Sequence, residues 1–212
     1  MAWLQPRVLA AGILCLLAGP TALAAQGLAV GVHAGQYAPT QDLYDTIRGS
    51  ANQTGDYWLG SGSLVGGAIT GWIGQRFGLV ASAGRTTADL THTRASGEEF
   101  GLGEVKLTYG AFQATAILAS PEAVLQPYVS AGLGLVKRKG DAFPAGLDGT
   151  RVGFVIGTGL RVKVVGVAFW GGAELMDYSS DWAPPNGLPK RSFLQRDFQL
   201  KAGVTVPVLG RA

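Results

Sequence analysis

From residue 28 onward the chain alternates. In Leu28 to Tyr37 (LAVGVHAGQY), Leu28, Val30, Val32 and Ala34 share one face, and Ala29, Gly31, His33 and Gly35 share the other. A period of two, apolar on one side and small or polar on the other, predicts a β-strand. The same rhythm predicts seven more strands, at about Ser63 to Gly74, Leu79 to Thr91, Leu102 to Ala119, Gln126 to Val136, Arg151 to Lys163 and Val167 to Tyr178, with a last one carrying Asp197 to Val208. The connections run long and short in turn. Polar Ala38 to Gly62 is followed by Gln75-Arg76-Phe77-Gly78, His92 to Gly101 by Ser120-Pro121-Glu122-Ala123, and Lys137 to Thr150 by Val164 to Gly166. The Pro-rich stretch Ser179 to Gln195 comes last.

Eight strands of this length each satisfy the roughly 9–11 residues a tilted strand needs to cross a bilayer. An even count puts both chain ends and all short turns on one side, with the long loops opposite. The predicted fold class is therefore all-β, an eight-stranded antiparallel up-and-down transmembrane β-barrel. If the Val/Leu/Phe rows face lipid, the opposite rows face the lumen. That assigns Arg85, Asp89, Glu104, Lys106, Arg151, Arg161, Glu174 and Lys201 to a lumen charge network, with Asp197 beside them. A soluble, lipocalin-like barrel would have to hold these charges in its core, at several kcal/mol for each unpaired one. The phase of the second strand stays open, because Val65, Ile69 and Ile73 compete with Leu64 and Trp72 for the outer face.

Composition sharpens the compartment. Arg7, the apolar run Val8 to Ala18, the Gly19-Pro20 break and Ala22-Leu23-Ala24 read as a secretory signal peptide, so residues 1–24 are expected to be removed and residues 25–212 to form the barrel. The single cysteine, Cys15, lies inside that signal, leaving no disulfide to hold the mature protein. The chain carries a net charge of +3, and losing Arg7 brings it to +2, too little to argue for nucleic acid. Thirty-three glycines in 212 residues, without a G-X-Y period, suit strands that bend tightly around a small barrel.

The segment Gln126-Pro127-Tyr128-Val129-Ser130-Ala131-Gly132-Leu133-Gly134 resembles the P-Y-x-x-A-G-x-G strand of small outer-membrane β-barrels, the superfamily of the OmpA transmembrane domain, OmpX and OmpW. The resemblance implies export to the bacterial outer membrane, insertion by the barrel-assembly machinery and a monomeric barrel among outer-membrane lipids and lipopolysaccharide. The chain departs from the pattern at its end, Val208-Leu209-Gly210-Arg211-Ala212, where such proteins usually carry an aromatic residue.

An eight-strand barrel is just wide enough for its own side chains to fill, so a wide pore is not expected. Some barrels of this size are lipid A-modifying hydrolases, and a site like that of the lipid A deacylases needs a His and a Ser two residues apart with an acidic partner. His92 and His33 have no such neighbours. No metal-ligand cluster, phosphate loop or dinucleotide fingerprint is present, so no catalytic residue, metal or cofactor is predicted. The expected loops hold Tyr44, Tyr57, Trp58, Phe143, Trp182 and Phe193 with the basic runs Lys137-Arg138-Lys139 and Lys190-Arg191. Lys137, Arg138 and Lys139 are the predicted lipopolysaccharide contact. The sequence points to a non-enzymatic barrel with a structural or surface-interaction role, with a narrow pore for small solutes or ions as the alternative.

Overall fold

A computed structural model of the chain describes residues 27–40, 55–94, 96–140, 149–182 and 191–210. The expected signal segment, 1–24, lies outside the described residues. Nine strands appear: β1 (Gly27–Pro39), β2 (Gly55–Leu59), β3 (Gly62–Ile73), β4 (Phe77–Arg94), β5 (Glu99–Ile117), β6 (Leu125–Lys139), β7 (Gly149–Val164), β8 (Val167–Trp182) and β9 (Arg191–Gly210). All pairings are antiparallel: β1 pairs with β3, β2 and β3 both pair with β4, each strand from β4 to β9 pairs with the next, and β9 pairs back onto β1, which closes the ladder. Closure gives the backbone donors and acceptors of the wall a neighbouring strand, the condition for crossing lipid with strands.

The pair β2 and β3 is one barrel strand interrupted by a bulge. Leu59 faces Leu90 and Leu64 faces Thr86 on β4, so four residues on one side span three on the other. The extra residue shifts the parity, and Leu59 and Leu64 both end up buried. A second bulge lies across β4, where Leu90 and Thr91 face Gly103 and Gly101 and Leu102 is the surplus residue. Sequence reading placed residues 55–59 in a loop and treated 92–101 as a long one. Instead β4 and β5 continue upward into a tight hairpin, where Arg94 and Glu98 form an ion pair at 3.5 Å and the Arg94 guanidinium lies 4.2 Å from the Phe100 ring centre.

The tilt can be read from the register. The paired row beginning at Val30 passes through Ile69, Ala81, Phe112, Leu133, Phe154, Asp177 and Arg196 and returns to β1 at Thr40, ten residues beyond its start. Such a stagger is what a closed barrel of tilted strands requires.

The outer face carries a continuous apolar belt that includes Val32, Ile69, Phe77, Phe112, Leu133, Phe154, Phe169 and Leu200, all exposed. A water-soluble monomer rarely leaves a patch of that extent uncovered. The belt ends sharply. On every barrel strand the next outward residue above it is polar: Gln36 after Ala34, Ser63 after Val65, Arg85 after Ala83, Thr108 after Gly110, Lys137 after Leu135, Thr150 after Val152, Asp177 after Leu175 and Arg196 after Phe198. This ring of eight changes marks the outer surface of the lipid, and the strand ends above it form an extracellular collar. The phase of β3 is settled too, with Val65, Ile69 and Ile73 in the belt and Leu64 and Trp72 inside.

Glycines let the strands close up on one another. At Gly132, in the Tyr128–Gly134 stretch, an added Cβ would lie 2.0 Å from the Phe112 carbonyl oxygen of β5, whereas at Gly71 it would meet nothing within 4 Å. Gly132→Ala must force β5 and β6 apart. We expect unheated protein to run as a compact, heat-modifiable band on a denaturing gel, with the conversion temperature lowered clearly by Gly132→Ala and little by Gly71→Ala. Equal shifts would contradict the close approach.

Lumen network and extracellular rim as the candidate functional site

Inside the membrane span the lumen is polar, filled and held by pairs. Glu174 of β8 meets Lys201 of β9 in a buried ion pair. His33 of β1 sits in the same region, its ring 5.8 Å from that of Trp170 and tilted by 58°. The cavity beside it, lined among others by His33, Ser82, Glu174 and Lys201, measures about 10 Å³. That is room for one water at most, since a single water occupies roughly 10–15 Å³ on this measure. Nearer the periplasm, Arg161 donates to Gln126 Oε1 at 3.2 Å and lies 4.8 Å above the Trp72 ring, a polar and a cation–π partner.

The collar reverses this polarity. Its interior is a hydrophobic cluster including Leu59, Leu64, Leu90, Val105, Leu107, Val136, Val155 and Met176, with Tyr37 and Tyr109 packed at 5.4 Å between ring centres. Set into one side of it is a buried relay. Arg138 donates to Tyr178 Oη at 2.6 Å and to Ser180 Oγ at 3.0 Å, and Tyr178 donates to Asp197 Oδ2 at 2.7 Å. Burial raises the Asp197 carboxyl above its ordinary pKa, against the Tyr178 hydrogen bond and the Arg138 charge, so ionising it costs stability as pH rises through that value. Arg138 stays charged, because Tyr178 and Asp197 outweigh the burial that disfavours its cation.

The sequence-predicted residues divide accordingly. Glu174 and Lys201 meet in the lumen, Arg161 lies inside without a carboxylate partner among the described residues, and Arg151 is half-buried at the inward top of β7, donating to the Thr150 carbonyl at 3.4 Å. Arg85, Asp89, Glu104 and Lys106 stand on the outer face of the collar instead, which corrects their assignment to the lumen. The reason is that above the lipid the outward row faces water, so Ala88, Leu90, Val105 and Leu107 turn inward. The linear run also splits. Lys137 and Lys139 point outward, but Arg138 is 1% exposed and unavailable to an external partner. Three adjacent residues of a strand cannot share one face.

A rim cluster emerges that no linear run announces. Lys106 and Lys139 are directly opposite across β5 and β6, Lys137 is opposite Thr108, and Arg85 is opposite Thr108 from the β4 side. Directly opposite residues on a face lie about 5 Å apart at Cβ and diagonal ones about 7–8 Å, so four cations surround Thr108. None of the four has an ion-pair partner among the described residues. On the other side of the barrel Arg196 is neutralised, with Nε and Nη2 both at 2.7 Å from the Asp177 carboxylate. Among the described residues no three His, Cys, Asp or Glu are grouped to hold a metal.

The closed ladder has counterparts among solved structures. Outer membrane protein OprG from Pseudomonas aeruginosa superposes with a TM-score of 0.64 at 12% identity, over 87% of this chain and 97% of that one. Outer membrane protein AlkL, determined in lipid bilayers, also scores 0.64, at 16% identity over 92% and 96%. Neisserial surface protein A scores 0.55 at 16% identity over 85% and 96%. This chain has the fold of the small outer-membrane β-barrels. No protein-family model matches it, and no curated protein matches it by sequence. For a barrel of this kind the belt fixes which chemistry meets lipid, and the rim just above it meets the headgroup layer.

Sequence reading missed the Arg138–Tyr178–Asp197 relay because Tyr178 and Asp197 lie on different strands and only register joins them. Removing Arg138 leaves Asp197 buried and uncompensated, which typically costs about 3–5 kcal/mol. Arg138→Ala should therefore lower the unfolding midpoint in lipid far more than Lys137→Ala. Similar shifts would mean that Arg138 is solvated. The Asp177–Arg196 pair makes a different prediction. Hydrogen bonding from Arg196 lowers the Asp177 pKa, so the pair stabilises at neutral pH and the gain disappears as pH falls through the lowered value. Because the pair is half-exposed, Asp177→Asn should lower the unfolding midpoint only slightly at pH 7 and not at all once the pH is low enough to protonate the carboxyl in the folded protein, read from unfolding midpoints across pH.

Proposed function

We propose that this barrel is non-enzymatic and acts through its extracellular rim, where Arg85, Lys106, Lys137 and Lys139 contact the phosphate groups of lipopolysaccharide. What carries the reading is the placement of four cations, without an ion-pair partner among the described residues, immediately above the apolar belt on three adjacent strands. That level is the headgroup layer. Like charges directly opposite each other across a sheet destabilise it, so the Lys106–Lys139 juxtaposition contributes nothing favourable until an anion joins it. A phosphate between them turns the repulsion into charge-assisted hydrogen bonding. Asp89 and Glu104, higher on the same outward face, keep the patch local by bounding it with negative charge.

The pore reading has less support. Against it stand the cavity of about 10 Å³ beside His33 and the buried hydrophobic cluster of the collar, both within the barrel interior. Each cation near an anionic surface contributes on the order of 1 kcal/mol. Replacing Arg85, Lys106, Lys137 and Lys139 together with Gln should therefore weaken association with purified lipopolysaccharide at least tenfold at low salt, with the difference from wild type shrinking as salt rises. Arg94→Gln, which removes a cation already paired with Glu98, should change it little. Wild-type association by the fourfold variant at low salt would sink the proposal.

A further inference from the structure

At the periplasmic mouth of the barrel the lumen holds a charge that the fold does not balance. Arg161 lies on the inward face of β7, below the Glu174–Lys201 pair, which is neutral as a unit. Its described polar contact is the single hydrogen bond from Nη1 to Gln126 Oε1, and its other N–H groups have no acceptor among the described residues. Gln126 is itself held from below, its Nε2 donating to the Pro121 carbonyl at 3.1 Å, so it cannot swing away to do more. The neighbouring Trp72 presents a second donor without an acceptor, its buried Nε1–H. Groups that can only donate have therefore been gathered at one level inside a lipid-surrounded wall, where an uncompensated cation is expensive.

Beside Arg161 is a cavity of about 50 Å³, lined also by Ala29, Lys163, Ala168, Thr205 and Pro207 and bordered by the β7–β8 turn. It is several times what one water needs on the same measure. Lys163 brings a second cation to this opening. Glu122, whose carboxyl feels the Lys163 charge, sits on the exposed turn between β5 and β6, outside the cavity lining. Among the described residues that line it the cavity has two cations, a hydroxyl and no acid.

We infer that the periplasmic mouth is a binding site for a small oxyanion of phosphate size, held by Arg161 and Lys163 with the Thr205 hydroxyl. Arg161 supplies the geometry, a planar fork already braced by Gln126 and the Trp72 ring, and Lys163 supplies charge at the entrance. The site is separate from the rim patch, lying at the opposite end of the barrel and on β7, β8 and β9 rather than β4, β5 and β6.

The test uses the full mature protein in zwitterionic bicelles, titrated with inorganic phosphate at constant ionic strength and followed by the amide signals of Gly166, Ala168 and Thr205. The expected result is a saturable shift of these signals. Arg161→Gln should weaken the apparent affinity at least about tenfold, Arg161→Lys and Lys163→Gln by less, and Lys137→Gln not at all. The Arg161→Lys variant keeps the inference testable if the glutamine variant does not fold. No saturable shift, or equal affinity in Arg161→Gln, would overturn it. Repeating the titration with phosphatidylglycerol in the bicelle separates the sources. Displacement of inorganic phosphate by the lipid assigns the site to a headgroup, and an unchanged titration assigns it to a soluble anion.

Discussion

One plane organises this molecule: the outer surface of the lipid, which cuts across all eight barrel strands. Below it each strand must show apolar side chains outward and satisfy its backbone within the ladder. Above it the same strand, with the same alternation, stands in water. The alternation cannot change phase at the plane without a bulge, so the chemistry of the two rows changes instead. On β4 the outward row reads Leu79, Ala81, Ala83 and then Arg85, Thr87, Asp89. The inward row does the opposite, from Gly78, Val80, Ser82 to Thr86, Ala88 and Leu90. The collar is in effect a short water-soluble barrel continuing a membrane barrel, with a leucine core of its own. Each fully buried Leu or Val there contributes about 1.5–3 kcal/mol that the lipid-facing belt does not have to supply.

The charges follow the same division. In the span, Glu174 and Lys201 neutralise one another across β8 and β9, and in the collar Asp197 and Arg138 are joined through Tyr178. Such buried pairs add little net stability, since desolvation offsets most of the attraction. What they add is register. A slip of one residue between β8 and β9 would move Lys201 or Asp197 to the lipid or rim face and strand its partner. The two ion-linked levels therefore hold the tilted strands of this region in one alignment at two heights.

The strands were legible from the period of two alone, and so was closure, from their number and their sorted connections. The direction of each face was legible only where the strand lies in lipid. Strands β4 and β5 have 18 and 19 residues, well beyond the roughly 9–11 needed to cross, so their upper halves had to be outside. Equating the apolar row with the lipid face there inverted Arg85, Asp89, Glu104 and Lys106. The signal was present in the change of character within one row, Ala83 to Arg85, but it needs the plane to be located first. Arg138 was misjudged for a simpler reason. A run of three cations was read as a cluster, although on a strand its middle member must face away from the other two. The true cluster around Thr108 comes from three strands and depends on pairings that no local pattern specifies.

Position then distinguishes charges that serve the fold from charges that do not. At the rim the β8–β9 sector carries a cation with its own carboxylate, and Arg196 ties Asp177 across the strand pair. The β4–β6 sector carries four cations without one among the described residues, two of them directly opposed, just above the apolar belt. The first arrangement is complete by itself. The second leaves like charges facing one another among the described residues, a repulsion that an anion from outside would relieve. With the belt committed to lipid, this sector is the part of the exterior on which the proposed contact with negative charge at the membrane surface rests.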